Sequence, residues 1–146
     1  MDTRRLSRLF AGVVGIVLAG SVLVRAEDKA EAGPSPDDVI KTLKAGNERF
    51  VAGKLEHPNV SSERRTETAN GGQKPYVTIL SCSDSRVPAE HVFDAGIGDL
   101  FVVRVAGNVA DTDEIGTIEY GVGHLHTPVL LVLGHSKCGA VTAVRQ

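Results

Sequence analysis

Three short apolar runs, rich in β-branched side chains, lie in the second half of the chain. They cover residues 76–80, 100–105 and 129–133. Near-continuous apolar runs of this length predict strands that are buried on both faces. Segments with helical spacing alternate with them, at residues 88–94, at 113–125 and from about 137 to the end. This alternation predicts an α/β domain with a mostly parallel β-sheet flanked by helices.

A further helix is predicted in front of the sheet. Ser35 is a cap residue, Pro36 follows at the first helical position, and two aspartates occupy the first turn. The apolar and amide side chains that share one face of this helix are Val39, Leu43, Asn47 and Phe50. Gly53 is expected to end the helix, and the polar residues 54–74 predict a loop. Farther along, Gly107-Asn108 predicts a turn with positive φ.

The first 26 residues have the pattern of a secretory signal. Three arginines precede an apolar run at residues 9–24, and Val24 and Ala26 stand at positions −3 and −1 of a cleavage site after residue 26. An uncut membrane anchor is the alternative, because about 16 apolar residues approach the lower limit for a span. Cleaved export to the periplasm or the medium is the favoured interpretation. Residues 27–35 are polar and predict a flexible tether, which leaves 36–146 as the folded domain.

Neither a nucleic acid nor a membrane is expected as a partner of the mature chain. Residues 1–26 contain four arginines and one aspartate, so the remaining chain has 12 basic and 17 acidic residues. No basic stripe is visible, which argues against a nucleic-acid partner. Once the signal is removed, no segment is expected to hold the protein in a membrane.

Chemically reactive side chains follow the first and third predicted strands. The stretch SCSDSRVPAE, residues 81–90, places Cys82, Asp84 and Arg86 at alternate positions after the first strand. The third strand leads into LVLGHSKCGAV, in which His135 and Cys138 are three residues apart. Because the carboxyl ends of parallel strands meet at one edge of the sheet, these side chains are expected at a ligand-binding edge.

Two interpretations of the cysteines remain open at this point. In an exported protein, two cysteines first suggest a disulfide. That bond would not explain why His135, Asp84 and Arg86 surround them, and no C-x-x-C motif supports a redox dithiol. The alternative is a Zn²⁺ site made by Cys82, His135 and Cys138, with Asp84 or a water as the fourth ligand.

Taken together, the motifs resemble the β-class carbonic anhydrase family, and specifically an exported bacterial-type member. The resemblance rests on C-S-D-S-R, on H-x-x-C-G about 50 residues later, on FDAGIGDLFVVRVAGN at 93–108 and on GTIEYGVGHLHTPVLLVLGHSKCG at 116–139. It runs from about Gln73 to the end. Family members usually continue with more helix and a further strand, so the resemblance implies that this domain is short at its C-terminus.

The resemblance implies a role for each matching residue. One Zn²⁺ per chain would be held by Cys82, His135 and Cys138. Asp84 and Arg86 would form the catalytic dyad, with Asp84 also able to act as a conditional fourth ligand. The residues implied in substrate binding are Gln73, Phe101, Tyr120 and Gly139. A homodimer or higher homo-oligomer is expected, because the family builds its pocket by dimerisation.

The activity implied is the reversible hydration of CO2 to bicarbonate and a proton. In that reaction a zinc-bound hydroxide attacks CO2 while the Asp–Arg dyad orients it. Two other functions stay open on the sequence. One is a non-catalytic zinc-binding fragment, and the other is a hydrolase of the same fold that acts on COS or CS2.

Overall fold

The computed structural model describes residues 33–144. The predicted signal peptide, 1–26, and most of the predicted tether therefore lie outside the described residues. Within the described part, no helix combines the length and the apolar character needed to cross a bilayer.

The centre of the domain is a parallel sheet of three strands in the order β2-β1-β3. The strands are β1 (Val77–Cys82), β2 (Leu100–Val105) and β3 (Leu130–Leu133). All three predicted strands and the α/β class are confirmed. The first strand starts one residue later than predicted and continues through Cys82, so the first cysteine belongs to the strand itself.

Burial differs strongly between the strands. Every residue of the central strand β1 is buried, as the apolar run predicted. The two outer strands are less covered: β3 exposes Leu130 by 45% and Val132 by 56%, and β2 carries the exposed Arg104. The expectation of burial on both faces was wrong for these two strands. Exposure alternates along β3, so the described residues leave one of its faces uncovered, and in β2 only Val103 is buried.

Five α-helices surround the sheet in the described residues. They are α1 (Pro36–Val51), α2 (Ser62–Gly71), α3 (Ala89–Val92), α4 (Thr112–Glu119) and α5 (Gly139–Ala143). A 3-10 turn, Ala106–Asn108, follows β2, and one turn of π-helix, Tyr120–His124, extends α4. The predicted helix at 113–125 is confirmed as this combined element. The last helix begins at Gly139 rather than near Lys137, which has a positive φ of 55°.

Helix α1 has the predicted start and packs on one face of the sheet. The Ser35 side chain accepts a hydrogen bond from the backbone N–H of Asp38 at 3.2 Å, which caps the helix. The apolar contacts of this face come from Val39, Leu43, Val77, Ile79 and Ala89. Phe50, predicted on the same face, is 39% exposed. Gly46 is buried instead, where α1 meets the backbone of Phe93. A Cβ at this position would lie 1.8 Å from the carbonyl oxygen of Phe93.

Helix α2 corrects the prediction of a loop over residues 54–74. The side chain of Ser61 caps it by accepting from the backbone N–H of Arg64 at 3.2 Å. No residue of α2 is buried, so it carries no apolar stripe that a periodicity argument could detect. Polar contacts hold it instead: Arg64 donates through Nε to the carbonyl of Ile97 at 2.9 Å and lies 3.6 Å from the carboxylate of Asp99.

Candidate metal centre

The centre is built from the two turns that leave neighbouring strands. β1 pairs with β3 up to Ser81 and Leu133, so the chain leaves both strands at the same edge of the sheet. The first turn is closed by a hydrogen bond from the N–H of Val87 to the carbonyl of Asp84, at 3.2 Å. The second turn runs from Gly134 to Cys138, the residue before α5, and contains the left-handed Lys137.

These turns bring Cys82, His135 and Cys138 together, as predicted. The two Sγ atoms are 3.9 Å apart, and the ligand atoms of all three residues lie within 4.8 Å of one another. Both cysteines are free thiols and almost fully buried, at 3% and 9% exposure. A disulfide would bring the sulfurs to about 2.05 Å, so the separation excludes that bond in this structure.

The arrangement fits a tetrahedral zinc ion. With Zn–S bonds of about 2.3 Å at a tetrahedral angle, two sulfur ligands should lie about 3.8 Å apart. The imidazole of His135 is oriented correctly, because its Nδ1 lies 3.0 Å from the carbonyl of Ser136 and its Nε2 is buried with no hydrogen-bond partner among the described residues. Such an arrangement leaves the Nε2 lone pair for a metal. The donor set, two sulfurs and one imidazole, suits zinc better than a hard cation.

The electrostatics around Cys82 favour the thiolate that a metal requires. The backbone N–H of Gly107 points at its Sγ from 3.3 Å. This hydrogen bond, with smaller contributions from His135 and the N–H of Asp84, lowers the pKa of the Cys82 thiol to about 6. Gly107 has φ 75° and Asn108 has φ 43°, so the predicted positive-φ turn is confirmed and directs this N–H.

Asp84 and Arg86 form an ion pair beside the three ligands. The guanidinium donates through Nε and a terminal nitrogen to the two carboxylate oxygens, at 2.8 and 2.7 Å, and the Arg86 N–H adds a third bond at 3.0 Å. These bonds hold the pKa of the Asp84 carboxyl well below its usual range. One Asp84 oxygen lies 3.8 Å from Nε2 of His135. The carboxylate is therefore ionised, fixed and adjacent to the ligand atoms.

Arg86 also joins the two turns. One of its terminal nitrogens donates to the carbonyl of Lys137 at 3.1 Å. That carbonyl belongs to the loop between the two ligands of the second turn. Its direction depends on the left-handed backbone of Lys137.

One residue of the site was missed by the sequence reasoning. Arg104 of β2 donates to the carbonyl oxygens of Cys82, at 3.2 Å, and of Asp84, at 2.8 Å. A signal for it was available: Arg104 is the single charged residue in the strand LFVVRV. A charge in a strand that the sequence predicts to be buried on both faces would need polar partners.

The other implied substrate residues are not all near this centre. Gly139 adjoins Cys138 at the start of α5. Phe101 packs against Tyr120, with ring centroids 5.8 Å apart, and pairs with Thr78 in the sheet. Thr78 is four residues before Cys82, which corresponds to about 13 Å along the strand. Gln73 precedes β1 and lines a groove with Arg65, Thr68 and Gly98, on the side away from the end of that strand.

Comparison with known proteins agrees with this geometry. A family model described as "Carbonic anhydrase" matches residues 77–146. Carbonic anhydrase 2 of Mycobacterium tuberculosis is 55% identical over 109 residues, which cover 75% of this chain and 52% of that protein. A carbonic anhydrase of Mycolicibacterium smegmatis is 52% identical over the same shares of the two chains. The chain thus spans about half the length of the curated relatives it matches.

Solved structures give the same result for the fold. A tetrameric β-carbonic anhydrase of Sordaria macrospora superposes with a TM-score of 0.54 and 27% identity, over 75% of this chain and 55% of the other. A β-carbonic anhydrase of Aspergillus fumigatus gives 0.53 and 33% identity, over 75% and 52%. The sheet, the cysteine and histidine turns and these similarities lead to one conclusion: the chain belongs to the β-carbonic anhydrase family.

Proposed function

We propose that the protein catalyses the reversible hydration of CO2 to bicarbonate and a proton at one zinc ion held by Cys82, His135 and Cys138. The observation that carries the proposal is the meeting of two free thiols and an imidazole nitrogen without a hydrogen-bond partner in residues 33–144, next to an ionised Asp84–Arg86 pair. Membership of the β-carbonic anhydrase family supports it. Because the chain spans about half of its relatives, the activity is a proposal for this chain.

Zinc would supply the nucleophile by lowering the pKa of a coordinated water toward about 7. The protein residues would orient it. The ionised Asp84 can accept a hydrogen bond from a nucleophile at the metal and direct its free lone pair at the carbon of CO2. Arg86 holds that carboxylate through both of its oxygens, so that it does not turn toward the ligand atoms.

The same carboxylate could instead become the fourth metal ligand if its pair with Arg86 broke. Asp84 Oδ2 is 2.7 Å from the guanidinium and 3.8 Å from Nε2 of His135, so a rotation of one side chain separates the two arrangements. We propose that the Arg86-paired arrangement is the active one and the metal-bound arrangement the inactive one.

We also propose that the working unit is a homodimer or a larger homo-oligomer. Phe101, which packs against Tyr120, lies about 13 Å along the sheet from Cys82 of its own chain, and Gln73 lies beyond the other end of β1. These residues can line a substrate pocket if the centre of one chain faces them on another copy. The tetramer described for the Sordaria macrospora relative supports this assignment.

Export is proposed on the pattern of residues 1–26 alone. The arginine-rich start, the apolar run and the small residues at 24 and 26 favour a cleaved secretory signal. Mass spectrometry of the protein recovered from the periplasm or the medium should then give a chain that begins at Glu27. An intact chain in the membrane fraction would support the anchor instead.

Stopped-flow CO2 hydration combined with metal analysis tests the proposed function. We expect one zinc per chain and hydration that chelation abolishes and zinc restores. Zinc without hydration would support a non-catalytic zinc-binding fragment. Assays with COS and CS2 in parallel would reveal the alternative substrates. Recovery of a protein that neither binds zinc nor hydrates CO2 would overturn the proposal.

A further inference from the structure

Arg104 contacts the backbone of two functional residues at once. From the neighbouring strand β2, its Nε donates to the carbonyl of the metal ligand Cys82 at 3.2 Å. A terminal nitrogen donates to the carbonyl of the dyad acid Asp84 at 2.8 Å. We propose that Arg104 is a positioning residue that sets the distance between the Cys82 ligand and the Asp84 carboxylate, an inference that rests on the proposed function.

The backbone needs such support at this point. The pairing of β1 with β3 ends at Ser81–Leu133, and the pairing with β2 ends at Cys82–Val105. A single further ladder bond follows, from the N–H of Ser83 to the carbonyl of Val105 at 3.1 Å. The Asp84 turn therefore begins where the sheet stops holding the chain. The hydrogen bond from Arg104 to the Asp84 carbonyl attaches the chain to β2 two residues beyond the last sheet pair.

One of the two carbonyls that Arg104 contacts, that of Asp84, also closes the turn. Its oxygen accepts hydrogen bonds from the Arg104 guanidinium and from the backbone N–H of Val87. Arg104 fixes the backbone of Asp84, while Arg86 fixes its carboxylate. The two arginines therefore hold different groups of Asp84, and the bonds of one cannot replace those of the other. Because a displacement of about 1 Å in a reacting group can lower a rate by about 100-fold, this backbone anchor bears on turnover.

A guanidinium suits this position better than an ammonium. Its planar fork presents several N–H groups in fixed directions, so Nε and a terminal nitrogen can reach two carbonyls two residues apart. A lysine at 104 carries a single flexible ammonium and would hold the pair less firmly. Arg104→Lys should therefore loosen the Asp84 turn partly, and Arg104→Met should loosen it fully.

Hydrogen exchange of the turn is the direct test, with Arg104→Met, Arg104→Lys and the control Arg65→Met. Arg65 is exposed, and its guanidinium makes no hydrogen bond with other residues in the range 33–144. In the zinc-free protein we expect the amides of Arg86 and Val87 to exchange roughly tenfold faster in Arg104→Met, less so in Arg104→Lys, and unchanged in the control. The amides of Val77 to Leu80 should keep their wild-type rates.

Two measurements on the metal-loaded protein complete the test. Release of zinc to a chelator should be roughly tenfold faster in Arg104→Met than in wild type or Arg65→Met. The visible absorption of the cobalt-substituted protein should shift in Arg104→Met and return toward wild type in Arg104→Lys.

Unchanged turn exchange and an unchanged cobalt spectrum in Arg104→Met would overturn the inference. So would faster exchange throughout β1 and α1, because that result would mean that Arg104 only stabilises the domain. If Arg104→Met does not fold, Arg104→Lys provides the same comparison. Since exchange is read without zinc or substrate, a wild-type protein that fails to hydrate CO2 would disprove the proposed function without affecting this test.

Discussion

The sulfur atoms of Cys82 and Cys138 lie 3.9 Å apart although 56 residues separate them in the chain. They meet because β1 and β3 are direct neighbours, Cys82 is the last residue of β1, and Cys138 ends the turn that follows β3. At this separation, with His135 beside them, the two thiols are close enough to bind one metal ion together. The predictions that follow test that group and the contacts that hold it.

Replacing a thiolate ligand should remove the metal. We expect Cys138→Ser to lose zinc affinity by more than roughly 100-fold, because even partners that only support a ligand change affinity by 10–100-fold. Elemental analysis after dialysis measures the retained zinc. Ser136→Ala is the control, since its backbone carbonyl, and not its side chain, contacts His135. One zinc per chain in Cys138→Ser would contradict the ligand assignment.

Neutralising the dyad acid should separate binding from turnover. Asp84→Asn keeps the size of the side chain and should retain zinc, but kcat should fall by roughly 100-fold or more, because the amide cannot orient the nucleophile as the carboxylate does. Stopped-flow hydration of matched zinc-loaded samples measures the loss. Asp113→Asn, at an exposed acid in α4, serves as the control. Normal turnover in Asp84→Asn would refute the assigned role.

The backbone bond from Gly107 should influence the metal ligand Cys82. Gly107→Ala places a side chain on a residue with φ 75°, where L residues are strained, although only ordinary contacts with Ala140 and Val141 would result. The N–H should turn away from the sulfur, so the Cys82 pKa should rise and zinc should bind roughly tenfold more weakly.

Titration of Cys82 alkylation in the zinc-free protein, with chelator competition for the metal, measures both effects of Gly107→Ala. Gly72→Ala is a matched control, because Gly72 has φ 78° and open space around it. Equal behaviour of the two variants would show that strain alone is responsible.

The lowered pKa of Asp94 predicts how the stability of the domain depends on pH. Burial opposes its ionisation, but hydrogen bonds from Arg49 and from the N–H groups of Glu56 and His57 prevail and lower its pKa to about 2, from 3.8. A depressed carboxyl pKa contributes stability that is complete above the unfolded value and is lost as pH falls through the folded value. The free energy of unfolding of wild type should therefore exceed that of Asp94→Asn above about pH 4, and the difference should disappear between about pH 4 and pH 2.

Urea unfolding at several pH values checks this window. Asn tolerates the positive φ of 46° at this position, so the substitution mainly removes the charge. Asp113→Asn should show no comparable change. An advantage of wild type that persisted unchanged at pH 2 would contradict the assignment of acid sensitivity to Asp94.

The contact between α1 and α3 predicts that two equivalent helix substitutions have opposite effects. Gly46→Ala would place a Cβ 1.8 Å from the Phe93 carbonyl, so overpacking should lower the free energy of unfolding by about 1–3 kcal/mol. Gly116→Ala in α4 meets nothing within 4 Å and should raise it by about 0.5–1 kcal/mol. Urea denaturation measures both. A neutral or stabilising Gly46→Ala would refute the close approach.

Elements with strong local signals were predicted well. Strand β1 follows from the mostly apolar run at residues 76–80, and the cap of α1 combines Ser35, Pro36 and two acids, so both could be recognised from their own residues. Helix α2 could not, because its attachment depends on Arg64 reaching Ile97 and Asp99, which are about 33 residues away. Polar contacts across such a distance leave no periodic pattern.

Residue type and hydrophobic pattern are local properties, so the three candidate ligand side chains, and their positions at or after the ends of strands, could be predicted from the sequence. Their meeting at one point depends on the order of the strands in the sheet. With β2 between β1 and β3, two strand spacings of about 4.8 Å each would have kept the cysteine turns about 10 Å apart. The observed order β2-β1-β3 makes them neighbours. It also gives Arg104 its two carbonyls, and it leaves Phe101 and Gln73 remote from the centre of their own chain, because strand order follows from packing between distant segments.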